Sequence, residues 1–154
     1  MANTFTQTLV HVIFAVDGRD NLLTKEFNNQ VYRYLTSFLN KEQAIPHAVH
    51  CSLDHVHVLI TLPPTKNLSR LIGDLKAYSS GYINANGWVE KVFRWQAGYV
   101  GISCSPMERE GMIAYVIGQD ALHRKWSFKE EYFKLLDESG IVYDEQYGFE
   151  FQEG

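Results

Sequence analysis

His55 and His57 stand one residue apart in the run Leu53-Asp54-His55-Val56-His57-Val58-Leu59-Ile60. The run reads as a strand. Side chains alternate along a strand, so both imidazoles face one way, near enough to reach one ion, while Val56 and Val58 face the other. That is half of a metal site, although a half-buried strand with a histidine-bearing polar face would look the same. A second pair, Tyr115 and Gln119, lies four residues apart in a segment that reads as a helix from about Met107 to Arg124. Phenol and amide then share one helical face. A core tyrosine with a wet hydroxyl is the plainer account of it. The sharper one is chemical: a phenol with a pKa near 10 is a poor nucleophile at neutral pH until a nearby cation favours its phenolate. A cation held by the imidazoles would do that, and would polarise a phosphate under attack.

Taken together, His55-Val56-His57 and Tyr115 with Gln119 resemble the HUH-type single-tyrosine transposases of the IS200/IS605 group. Further stretches match in order and spacing: Val12-Ile13-Phe14, Leu75-Lys76-Ala77-Tyr78-Ser79-Ser80, Trp95-Gln96-Ala97-Gly98-Tyr99, and Phe128-Lys129-Glu130-Glu131-Tyr132. The resemblance implies that His55, His57 and Gln119 ligate Mg²⁺ or Mn²⁺, and that Tyr115 attacks phosphorus. It implies cleavage and rejoining of single-stranded DNA with hairpin ends through a 5′-phosphotyrosine, by a homodimer whose tyrosine helix serves its own or its partner's site. The implied architecture is a ferredoxin-like, RRM-like HUH fold. Ligand chemistry alone would also allow Zn²⁺.

The elements that must position these residues are legible from pattern. Thr6 to Val16 is rich in β-branched and aromatic residues and reads as a first strand. His11 within it reads as a core or sheet-face histidine, and its match to a first-strand histidine of the family leaves a supporting role open as what the resemblance implies. Thr24 suits the cap of a helix whose apolar positions Val31, Leu35, Phe38 and Leu39 recur at helical spacing. Ala44–Cys51 and Asp54–Leu62 read as an antiparallel hairpin ended by Pro63-Pro64. His47 and His50, three apart on its first strand, should face opposite ways. A helix begins at about Asn67 and leads into a loop at Ile83 to Gly87. Lys66, Arg70 and Lys76 read either as a solvated face or as phosphate contacts, with Tyr78, Ser79 and Tyr82 available to unpaired bases. Val92–Gln96 and Tyr99–Cys104 read as a last strand pair, and Ser127 opens a final helix closed by Gly140.

This order predicts one α+β domain over residues 1–154, a mainly antiparallel sheet with helices packed on it, and an acidic aromatic tail from about residue 141. At 154 residues, 45% hydrophobic and 21% charged, the composition is that of an ordinary globular domain. No apolar run is long enough for a membrane helix, so the expected location is the cytoplasm. Cys51 and Cys104 read as buried reduced thiols. The net charge of −4 weighs against a nucleic-acid partner, but six of the carboxylates come after Lys134; without them the balance is about +2. Two other classes stay open: a small metal-dependent hydrolase, in which Tyr115 only donates a hydrogen bond, and a DNA-binding remnant without cutting activity.

Overall fold

A computed structural model of the chain describes residues 4–19, 22–123 and 125–143. Strand β1 (Leu9–Ala15) leads to helix α1 (Asn28–Lys41), the hairpin β2 (Ile45–Cys51) and β3 (His55–Thr61), helix α2 (Leu68–Asn86) and strand β4 (Val100–Cys104). Helices α3 (Arg109–Ile117), α4 (Gln119–Leu122) and α5 (Phe128–Glu138) complete it. All four strands pair antiparallel in the order β2-β3-β1-β4. The α+β architecture expected from the sequence is therefore present.

Alternation sorts the sheet into two faces. Val10, Val12 and Phe14 of β1 and Val56, Val58 and Ile60 of β3 meet Val31, Leu35 and Leu39 of α1 and Leu71, Ile72 and Leu75 of α2 in the main core. Each such side chain contributes about 1.5–3 kcal/mol on burial. The opposite face carries His11, Ile13, His55, His57 and Leu59, and is covered by α3 and α5 through Val116, Phe128, Tyr132 and Leu136. Burial on both sides explains the near-continuous apolar run of β3.

Several expectations need correction. The tyrosine helix is not continuous from Met107 to Arg124: a 3-10 turn at Pro106–Glu108 precedes α3, and the chain breaks at Gly118 (φ −82°, ψ 14°) before α4. Val92–Gln96 is not a strand; only Trp95 bridges to Val16. There the Asn84 side chain replaces a strand neighbour, accepting from the Phe93 amide at 2.7 Å and donating to its carbonyl at 3.0 Å. The loop expected at Ile83 is helical to Asn86, ending at Gly87 in the left-handed region. Helix α1 starts later than Thr24, whose carbonyl, not its hydroxyl, accepts from the Asn28 amide. A bulge between Pro46 and Ala48 upsets the alternation assumed for His47, which hydrogen-bonds Thr61 Oγ1 at 2.6 Å. Asn67 and Ser127 cap α2 and α5 as expected. Of the acidic tail, Ile141 and Tyr143 pack beside α5, and the stretch 144–154 lies outside the described residues. Among the described residues no helix is long and apolar enough to cross a membrane.

Candidate active site

His55 and His57 project from β3 onto the face covered by α3 and α5, both buried. Each imidazole is held by its Nδ1. His55 Nδ1 lies 2.7 Å from Asp54 Oδ1, and the ring stacks flat on Phe128 at 3.8 Å between centroids. His57 Nδ1 lies 2.9 Å from Nε2 of His11, also fully buried, on the neighbouring strand. A carboxylate can only accept, so His55 carries its proton on Nδ1 and presents a bare Nε2; orienting a ligand ring in this way is how outer groups tune metal-binding histidines. His11 holds the His57 ring in place through this contact, a supporting position of the kind considered for it. Burial pushes His11 down to about 3, with the neighbouring His57 adding to the effect against Glu131. Burial likewise takes His55 down to about 4 although Asp54 opposes it. Both rings are therefore neutral at physiological pH.

The third member of the group was not singled out in the sequence. Glu131, in the first turn of α5, is 4% exposed, and one of its oxygens with one nitrogen each of His55 and His57 lie within 4.8 Å of one another. His55 Nε2, His57 Nε2 and Glu131 Oε1 are also buried atoms without a hydrogen-bond partner. Three such atoms converging are costly in a metal-free interior and are the donor set a divalent cation takes. Glu131 Oε1 stands 3.4 Å from His57 Nε2 and 3.3 Å from His123 Nε2, neither contact aligned as a hydrogen bond. Burial works to raise the Glu131 pKa, but His123 and His57, then Tyr115, hold it well below the usual carboxylate range. Desolvation works to lower His123, yet its contact with Glu131 lifts it above its ordinary value.

Tyr115 and Gln119 reach this carboxylate from the other side. The Tyr115 hydroxyl donates to Glu131 Oε2, and its ring lies 6.1 Å from that of His57 and 5.9 Å from that of His11 in the same chain. Burial and then Glu131 push the phenol pKa up, so it is a neutral phenol here. Gln119 Nε2 donates to Glu131 Oε2 at 2.8 Å, and its Oε1 lies 2.9 Å from His123 Nε2. Because Glu131 accepts only, the amide nitrogen must face it and the oxygen is turned to His123. Glu131 Oε1 is thus a donor facing the imidazoles that the sequence did not suggest, while Gln119, which it did suggest, lies beside it with its oxygen turned to His123.

The residues expected to touch DNA lie elsewhere. All are on or beside α2, which packs on the other face of the sheet. Ser79 is 1% exposed and accepts from Trp95 Nε1 at 2.8 Å, so it is not available to a base. Lys76 donates to the carbonyls of Gln96 and Gly98, and Lys66 pairs with Glu42 at 2.8 Å. Arg70 is exposed, and Tyr78 is exposed against Phe38. Structure thus assigns Ser79 and Lys76 to holding the 95–98 segment.

Comparison with known proteins agrees with this fold. No curated protein matches the sequence. A crystal structure of a candidate transposase from Deinococcus radiodurans R1 superposes with a TM-score of 0.61 at 18% identity, covering 77% of this chain and 95% of that one. A REP-associated tyrosine transposase bound to a REP hairpin gives 0.59 at 13% identity, covering 99% and 93%. The profile of the family described as "Transposase IS200 like" matches residues 4–119, taking in both imidazoles, Tyr115 and Gln119 but stopping short of Glu131. With that stretch spanning well over half of the sequence, the chain belongs to the IS200-like transposase family.

Proposed function

We propose that this chain cleaves and rejoins single-stranded DNA bearing hairpin ends, with Tyr115 as nucleophile and His55, His57 and Glu131 as ligands of a divalent cation, Mg²⁺ or Mn²⁺. The observation that carries the reading is the convergence, within one chain, of three partnerless buried ligand atoms beside the Tyr115 hydroxyl. A bound cation would supply Lewis-acid polarisation of the scissile phosphate. The protein does the rest. Asp54 and His11 fix the imidazoles, and Glu131 Oε2 orients the phenol by accepting its hydrogen bond; as the phenol oxygen attacks phosphorus its proton passes to water, and the departing 3′-oxygen takes a proton from water. The products of that attack are a 5′-phosphotyrosine and a free 3′-hydroxyl. Gln119 and His123 hold the carboxylate in place, and return of a 3′-hydroxyl to the phosphotyrosine rejoins strands without a nucleotide cofactor.

All these groups come from one subunit, so a homodimer would pair two complete sites. The test is a denaturing gel of the protein with hairpin-bearing single-stranded DNA and Mg²⁺ or Mn²⁺. A covalent band lost in Tyr115→Phe is expected. Cleavage persisting in that variant would instead support a hydrolase in which the phenol only donates a hydrogen bond, and binding without cleavage would support a DNA-binding remnant.

A further inference from the structure

Beside Tyr115 opens a small cleft of about 90 Å³ lined by Tyr115, Leu122, Trp126, Glu131, Lys134 and Leu135. Trp126 is 43% exposed, although an indole of that size is normally covered. Lys134 Nζ stands over its ring at 5.2 Å from the centroid, and is 3.9 Å from Glu138, which also borders the cleft. Apart from Tyr115, every one of these residues comes after position 119, outside the stretch that matches the family. We propose that this cleft is a base-binding subsite for the nucleotide next to the scissile phosphate: its base stacks on Trp126, and Lys134 meets the adjoining phosphate.

The argument rests on Tyr115 being the nucleophile. A phosphorus atom under attack must come to bonding distance of the Tyr115 hydroxyl, so the flanking nucleotides must pass close to that side chain, and this cleft is lined by it. Its contents suit a nucleotide: the Trp126 face opposite Lys134 can take any base, and the Lys134 ammonium can turn to the backbone. Glu138 is offset by Lys134, and the Glu131 carboxylate by a cation bound at the imidazoles. The cleft is too small to enclose a nucleoside, which restricts the contact to one base edge and face.

Two measurements on the full chain test this. In Mg²⁺, random-sequence single strands of about 20 nucleotides that form no hairpin are expected to quench indole emission, whereas abasic strands of equal length and charge do not. Trp126→Phe should remove that quench, because Trp95 is buried and Trp88 is stacked on Phe27. With hairpin DNA and Mn²⁺, Trp126→Ala should raise KM about tenfold, with kcat for the Tyr115 adduct changed less than about twofold and Trp126→Tyr restoring KM. Equal quenching by abasic strands, a quench that survives Trp126→Phe, or an unchanged KM in a folded Trp126→Ala overturns the subsite. Should Trp126→Ala fail to fold, the fluorescence arm with Trp126→Phe decides. Base-dependent quenching in a wild-type chain that forms no adduct would instead remove the nucleophile reading and leave the base site standing.

Discussion

The Tyr115 hydroxyl donates to Oε2 of Glu131, sixteen residues further along, while Oε1 of the same carboxylate is turned toward Nε2 of His57. One side chain thus touches both the proposed nucleophile and the proposed ion. Its two oxygens should be separable by mutation. Glu131→Gln keeps the shape but gives up the charge, and is expected to weaken Mn²⁺ binding at least about tenfold in titration calorimetry, whereas Tyr115→Phe should leave it within about twofold. Equal Mn²⁺ affinity in Glu131→Gln and wild type would take Glu131 out of the ligand set.

Ser79 offers a test of the opposite kind, since the sequence placed it among DNA contacts and the structure buries it under Trp95. Ser79→Ala leaves the indole N–H without an acceptor, at a cost of about 1–3 kcal/mol. A melting temperature lower by several degrees is expected, with affinity for single-stranded DNA unchanged. Loss of DNA affinity without loss of stability would restore the DNA-contact role.

How far such features were legible depended on whether local pattern or tertiary contact decides them. The face shared by His55 and His57 is set by alternation alone, and β1 to β3 are marked by β-branched residues and by Pro63-Pro64. Ser127 announced the start of α5, where the structure pairs it with Glu130 in a capping box. Glu131 was hidden because an acid in a first turn ordinarily reads as a surface charge favoured by the helix dipole. One signal was present: it shares the apolar stripe of Phe128, Tyr132 and Leu135, where a carboxylate has to find a buried partner. The Val92–Gln96 segment misled for another reason. Its alternation is real, with Phe93 and Trp95 buried, yet the Asn84 side chain supplies the hydrogen bonds that a strand would have made.

Both cysteines are free, as expected, but they differ in reach. Burial pushes the Cys51 thiol up to about 12, so at pH 8 roughly one molecule in ten thousand carries a thiolate there. Cys104 is only partly buried and is raised by burial and then by Glu108. A disulfide reagent at pH 8 should therefore modify a single thiol in the native protein, and Cys104→Ser should abolish that phase. Modification of Cys51 should wait for denaturant, and raising the pH within the native range should speed the Cys104 reaction first. Fast native labelling in Cys104→Ser would show that the sheet opens at β2.

Gly118 separates the helix that carries Tyr115 from the short one that carries Gln119, and a side chain there meets backbone. A Cβ at this position would stand 3.0 Å from the Ala114 carbonyl oxygen, which as part of α3 gives way only if the α3–α4 junction shifts. Alanine is the better helix former by about 1 kcal/mol, so a plain propensity argument predicts stabilisation. The contact argues the reverse. Gly118→Ala is expected to lower the melting temperature by a few degrees and to reduce kcat for adduct formation more than it changes KM for DNA, because Tyr115 and Gln119 lose their common hold on Glu131. A Gly118→Ala protein that melts higher and forms the adduct at the wild-type rate would show that the break between α3 and α4 has no part in placing the phenol.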